Sequence, residues 1–219
     1  MKPYYDEAGI TIYHGDCREI AVPCDVIITD PVWPNCPAGL LQGAEDPYRL
    51  FADFCTRLPS VLNRFVCILR NDSDPRFLSA IPTEFPNLPF VQMAWLQYVM
   101  PGYLGRVLGG NECAYVFGVP VKSALGRRVI PSVAPKAQPL DRRANGHPCS
   151  RALIHMRWVV NWFSDAEELI LDPFCGSGTI LDAAKGLGRR AIGIEIEERY
   201  CEIAAKRLSQ GVFQFGVRL

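Results

Sequence analysis

The stretch 168–195, "ELILDPFCGSGTILDAAKGLGRRAIGIE", constrains the fold more than any other part of the chain. An apolar strand (168–174) runs into a glycine turn, a helix follows (179–188), and a second apolar strand (190–196) carries an acid, Glu195, near its end. A strand–helix–strand unit of this length makes a parallel pair with a right-handed crossover. Gly176 and Gly178 allow a tight turn and close approach of a ligand, while the helix that follows offers unpaired N–H groups. Glu195 lies 19 residues after Gly176, an offset suited to accepting hydrogen bonds from the ribose hydroxyls of a nucleoside cofactor.

The rest of the chain repeats this alternation. Short β-branched or apolar runs predict strands over 9–13, 25–30, 64–70, 89–99 and 113–119. Helical spacing of apolar residues predicts helices over 45–62, 150–164 and 198–208. "PGYLGRVLGG" (101–110) reads as a loop, and 119–146 is rich in Pro, Gly, Arg and Lys without periodicity. Alternating strands and helices mean an α/β fold with a largely parallel sheet. Ligands on such sheets sit beyond the carboxyl ends of the strands. Two strands end on carboxylates in chemically loaded turns, at Asp30 and Asp172, so both turns should open on the same side.

Lysine plus arginine and aspartate plus glutamate each number 23, so bulk charge announces no nucleic-acid partner and any basic surface must be local. The segment 119–146 is such a place: Lys122, Arg127, Arg128, Lys136, Arg142 and Arg143 face one acid, Asp141. Nine cysteines, none in a Cys-x-x-Cys pair, argue against a zinc ribbon or a disulfide framework and for a reducing compartment. No metal site is expected. The N-terminal "MKPYYDEAGI" has no apolar core of signal-peptide length, and no apolar run is long enough to span a bilayer. A cytoplasmic protein with no membrane partner is expected.

The glycine turn is not a dinucleotide fingerprint, because Leu181 stands where the third glycine belongs, and it lacks the Gly-Lys-Ser/Thr of a P-loop. "DPFCGSGT" instead resembles the cofactor loop of S-adenosylmethionine-dependent amino-methyltransferases acting on DNA bases. "TDPVWPN" (29–35) resembles their Asp-Pro-Pro-aromatic motif, "YHGDCREI" (13–20) their Asn-Gly-Asp-type segment, and "HPCSRALIHMRWVV" (147–160) their His-Pro-Thr-Gln-Lys-Pro segment. The catalytic motif comes first and the cofactor loop last, the permuted order of the β class, and the aspartate heading the motif resembles the adenine-N6 type. The resemblance implies a doubly wound, mostly parallel seven-stranded methyltransferase sheet of Rossmann-like form, with helices on both faces. It also implies one domain over 1–219, with 119–146 a small target-recognition insertion contacting DNA through the six basic residues named above. A homodimer is left open.

An adenine amine is a poor nucleophile because its lone pair is delocalised into the ring. Two acceptors on its hydrogens localise that pair and stabilise the positive charge that grows on nitrogen. The resemblance assigns these roles to the Asp30 carboxylate and the Pro31 carbonyl, with Trp33 as a stacking surface for a base extruded from the duplex. It places Asp16, beside Cys17, at the cofactor's adenine amine, and Glu195, beside Ile196, at the ribose. Asp172, Pro173, Phe174, Gly176, Ser177, Gly178 and Thr179 fall near the methionine moiety, with Asp30 close by, and His147 and Pro148 near its carboxylate. Two departures stand out. Val32 replaces the second proline, and Ser150, Arg151 and Ala152 replace Gln, Lys and Pro. Three alternatives stay open: an RNA adenine methyltransferase, a DNA cytosine-N4 methyltransferase, and an inactive nucleic-acid-binding partner that keeps the fold.

Overall fold

Apolar residues on both sides of a strand require cover on both sides of the sheet. The computed structural model, which describes residues 2–84, 87–99, 102–104, 107–109, 111–120, 130–138 and 150–210, meets that requirement. Strands β1 (Tyr5–Glu7), β2 (Ile10–His14), β3 (Val26–Thr29), β4 (Arg64–Arg70), β5 (Phe90–Leu96), β8 (Glu112–Gly118), β9 (Leu169–Asp172) and β10 (Arg190–Glu195) form one eight-stranded sheet. Its order is β1-β2-β10-β9-β3-β4-β8-β5. The pairs β2/β10, β10/β9, β9/β3 and β3/β4 are parallel, whereas β1/β2, β4/β8 and β8/β5 are antiparallel.

Successive side chains of each strand feed opposite cores. Val26, Ile28, Val66 and Ile68 face one layer, built from α2 (Leu153–Phe163), α3 (Thr179–Gly186) and α4 (Glu198–Ser209). Met156, Val159, Val160, Phe163, Leu181 and Ala204 fill it. Ile27, Phe65, Cys67 and Leu69 face the other layer, where α1 (Pro47–Cys55) and a 3-10 turn (Pro75–Ala80) contribute Phe51, Phe54 and Phe77. Phe51 and Phe77 stack at 4.5 Å between centroids. The doubly wound architecture expected from the alternation is therefore present, with the three-residue β1 adding an eighth strand at one edge.

Three local expectations change. The helix expected over 45–62 ends at Cys55. The Thr56 hydroxyl donates to the Asp53 carbonyl at 2.7 Å, and Pro59 disfavours helical angles at Leu58. The stretch read as a loop, 101–110, contains a small antiparallel pair, β6 (Gly102–Leu104) and β7 (Val107–Gly109). Part of 119–146, aperiodic in the sequence, is tied to the sheet. Residues 130–138 run along the outer edge of β5, with bridges Trp95↔Val133 and Tyr98↔Ala137, and with Ala134 and Ala137 buried. An uncovered edge strand would leave a row of unpaired backbone groups, and this segment supplies their partners.

Candidate active site

The strand order reverses direction between β9 and β3: from β9 the chain proceeds to β10 on one side, and from β3 to β4 on the other. Such a switch point opens a crevice at the carboxyl ends of the two strands. β3 and β9 pair over two positions only, Val26↔Ile170 and Ile27↔Leu171. Beyond them the turns carrying Asp30 and Asp172 line a shared cleft of about 290 Å³. The Thr29 hydroxyl donates to Asp172 Oδ1 at 2.9 Å and ties the two turns together beneath it.

One wall is made largely of backbone. Gly176 (φ 49°) and Gly178 (φ 75°) occupy the left-handed region, which turns β9 sharply into α3. The Glu195 carboxylate accepts from Gly176 N at 2.8 Å on Oε2 and from Glu197 N at 2.9 Å on Oε1. Burial raises its pKa and these N–H groups oppose the rise. The leucine that breaks the dinucleotide fingerprint has its own accommodation. A Cβ added at Gly193 on β10 would sit 2.6 Å from Leu181 Cδ1 and 2.8 Å from Cys175 Sγ. The small residue that permits close helix–strand packing is thus on the strand instead of the helix.

The opposite wall is made of side chains from distant parts of the chain. Both oxygens of Asp30, whose side chain is 15% exposed, are held by Arg151. Arg151 Nε donates to Oδ2 and Nη2 to Oδ1, each at 2.5 Å. Arg151 Nη1 donates to Glu112 Oε1 at 2.7 Å, and the Tyr98 hydroxyl lies 3.0 Å from both Glu112 oxygens. Glu112 is fully buried and Arg151 nearly so. Burial pushes the Asp30 carboxyl above its ordinary range, Arg151 pulls it back down, and Glu112 pushes it up again. Burial would lower the Arg151 pKa, but Asp30 and Glu112 hold it well above its usual value.

Between the walls, burial pushes the Asp172 carboxyl up to about 8. Its bonds from Thr29 and from Phe174 N (3.3 Å) oppose the rise, and the charges of Asp30 and Glu195 add to it. Asp16 also lines the cleft, but its carboxylate is bound by the backbone and guanidinium of Arg18, which hold its pKa below the usual range.

The cleft brings together Asp16, Cys17, Asp30, Pro31, Trp33, Asp172, Pro173, Phe174, Gly176, Ser177, Thr179, Glu195 and Ile196. Gly178 lies behind it, where an added Cβ would come within 2.9 Å of Ala204 Cβ on α4. Val32 packs into the core beside Trp33. Trp33 does not present the open face expected of it. The residue is 4% exposed, with the guanidiniums of Arg151 and Arg70 at 5.6 and 5.9 Å from its ring. His147, Pro148, Lys122, Arg127, Arg128, Arg142 and Arg143 lie outside the described residues. Lys136 is exposed on the segment that covers the β5 edge. Sequence reasoning singled out Arg151 only as a departure, and it missed Glu112, Tyr98 and the rim formed by Leu41, Gln42, Glu45 and Arg49. A lone glutamate opening the otherwise apolar strand "ECAYVFG" was the available signal, since a buried carboxylate demands a partner. Among the described residues, no helix is long and apolar enough to cross a membrane, and no cluster of His, Cys, Asp or Glu could hold a metal.

Residues 85–206 match a family described as DNA methylase. The Type II methyltransferase M2.LlaDCHI of Lactococcus lactis subsp. cremoris is 39% identical over 71 residues, 32% of this chain and 26% of that protein. The Type II methyltransferase M.HinfI of Haemophilus influenzae is 49% identical over 47 residues, 22% of this chain and 13% of that protein. The chain spans less than half the length of the curated relatives it matches. The crystal structure of an M1.HpyAVI-SAM complex superposes with a TM-score of 0.67 at 25% identity, covering 91% of this chain and 99% of that one. The PvuII DNA methyltransferase (cytosine-N4-specific) shares the fold, with a TM-score of 0.69 at 17% identity over 96% of this chain and 90% of that one.

Proposed function

The chain belongs to the DNA methylase family of the N6/N4 type, and from that premise we propose that it transfers a methyl group from S-adenosylmethionine to the N6 amine of adenine in DNA. One observation carries the reading: the Asp30 turn and the glycine turn with Glu195 line a single cleft at the switch point.

The backbone wall fits the cofactor. Glu195 has both oxygens oriented by N–H groups, and each keeps a lone pair for a ribose hydroxyl. The Gly176 turn leaves room for close approach at the methionine end, and Phe174 and Cys17 supply apolar surface. When bound, S-adenosylmethionine supplies an activated methyl group. The chain's own part is to orient the acceptor. Asp30 and the Pro31 carbonyl accept the two amine hydrogens, which localises the nitrogen lone pair and stabilises the charge growing there. In the transfer that nitrogen would take the methyl group from the sulfonium, leaving a neutral thioether, and, once bonded to that carbon, would release its surplus proton to solvent. Trp33 would stack on the extruded base once its ring is freed from the neighbouring guanidiniums of Arg151 and Arg70. We assign DNA contact to 119–146, with Lys136 on its described part.

Incubating duplex DNA and RNA with methyl-labelled cofactor, followed by nucleoside mass spectrometry, tests this. N6-methyladenine in DNA supports the reading. N4-methylcytosine, or label in RNA alone, replaces it with one of the alternatives. Absence of label with intact cofactor binding makes the chain an inactive partner.

A further inference from the structure

We propose that Arg151 is a positioning residue for methyl transfer: its bidentate pair with Asp30, anchored from behind by Glu112, fixes the acceptor carboxylate in its ionised, amine-facing state. The inference rests on the proposed function and deepens it by naming what keeps the amine acceptor competent.

The geometry is specific. A carboxylate offers about four lone-pair directions, two on each oxygen. Arg151 takes one on each oxygen of Asp30, which fixes the carboxylate plane and leaves the others for the amine. A guanidinium can do this because its donors form a rigid planar fork. Arg151 is itself immobilised. Its third nitrogen is on Glu112, Glu112 receives the Tyr98 hydroxyl, and Tyr98 packs with Ala137 and Ala152 in a small apolar cluster. Tyr98 also lies edge-on to His155 at 4.8 Å between centroids. The chain of contacts therefore runs from the covered edge of β5 to the catalytic carboxylate.

The arrangement also bears on protonation: burial raises the Asp30 carboxyl above its ordinary range, and Arg151 is what opposes that rise. The charged or titratable groups facing Asp30 are Arg151 from the segment before α2, Glu112 from β8, Asp172 from β9, Cys67 from β4 and Cys36 from its own loop. Arg151 is the cation paired with it, and the Glu112 carboxylate opposes its ionisation. Without the guanidinium, burial and Glu112 would push the Asp30 carboxyl further up, towards a protonated form that donates and so cannot serve both as acceptor and as charge stabiliser.

The test is a pH–rate profile at saturating cofactor and DNA. Arg151→Met should lower kcat at neutral pH by more than tenfold and move the acid limb of kcat upward by about 1–3 pH units, the usual effect of losing an opposite charge at this distance. Cofactor affinity by calorimetry should stay within twofold, because the backbone wall is untouched. Arg151→Lys should restore part of both kcat and the limb. Arg151→Met leaves two buried acids uncompensated, so the double variant Arg151→Met/Glu112→Gln, which keeps the wild-type net charge of the trio, provides a foldable background for the same measurement. A folded variant with an unmoved acid limb overturns the proposal. So does a variant faster than wild type, which would make Arg151 a plug on Asp30. Failure of the wild-type chain to methylate any nucleic acid would instead sink the proposed function.

Discussion

Two carboxylates in one cleft are held in opposite ways. Glu195 is oriented by N–H groups of Gly176 and Glu197, which the turn and the start of α4 deliver wherever the backbone folds correctly. Asp30 is oriented by a guanidinium 121 residues away, itself held by a glutamate on a third element. A backbone-built grip depends on few side chains and tolerates substitution around it. A side-chain grip concentrates its risk, because removing any member of a buried ion network leaves the others uncompensated. The first suits a constant ligand. The second lets remote substitutions tune a reactive group.

The sharpest way to break this contrast is to remove each carboxylate and ask which constant changes. Asp30→Ala should lower kcat by about 10²–10³-fold, the usual cost of one preorganised donor or acceptor, with cofactor affinity intact. Single-turnover methylation with calorimetry on the same protein measures both. Near-normal turnover would remove Asp30 from the chemistry. Glu195→Ala should do the reverse. Affinity for S-adenosylmethionine should fall by roughly 1–3 kcal/mol, about 5- to 150-fold, while kcat at saturation changes little. Unchanged affinity would mean that the two N–H groups orient Glu195 for the turn alone.

The backbone wall has a weak point of its own. Gly193→Ala places a methyl group 2.6 Å from Leu181 Cδ1 and 2.8 Å from Cys175 Sγ, in a fully packed helix–strand contact. Overpacking of this kind costs about 1–3 kcal/mol, and denaturant unfolding should register it. The companion Gly193→Ala/Leu181→Ala, which opens space on the helix, should recover part of the loss. An unaltered midpoint for the single variant would show that α3 can shift on the sheet, and that the glycine turn is less rigid than its hydrogen bonds suggest.

The difference between the walls also explains what the sequence made legible. The glycine turn, Glu195 and the flanking strands are local: periodicity, turn chemistry and a fixed offset lie within 28 consecutive residues. Strand 64–70 was equally clear, because its apolar run feeds both cores and ends on arginines. The Arg151–Glu112–Tyr98 network has one local sign, the glutamate that opens an otherwise apolar strand, and nothing local that names its partners, since its members belong to separate segments that only the sheet order brings together. The closed face of Trp33 depends in part on the same network, since the Arg151 guanidinium lies 5.6 Å from its ring. The overlong helix 45–62 is a different failure. Leu58 and Leu62 continued the helical spacing, but Pro59 and the Thr56 hydroxyl end the helix at its third turn.

Asp172 lies between the two grips and is held on one oxygen only, which confines its effect to the pH dependence of stability. Its Oδ1 takes both of its hydrogen bonds, from Thr29 and Phe174 N, and no cation pairs with it among the described residues. Burial, with Asp30 and Glu195 nearby, pushes its pKa up to about 8, against an ordinary carboxyl value near 3.8 in the unfolded chain. Between those values the native state keeps a proton that the unfolded state has released. Stability should therefore fall as pH rises from about 4 to about 8 and become insensitive to this group above that range. One retained proton corresponds to a slope of at most about 1.4 kcal/mol per pH unit. Asp172→Asn keeps an acceptor for Thr29 and cannot ionise. Subtracting its urea-unfolding free energies from those of wild type between pH 5 and 8 should leave a difference that declines with pH. Parallel curves would mean that Asp172 is ionised in the native cleft, and that an acid can keep its charge there without either the backbone grip of Glu195 or the guanidinium of Asp30.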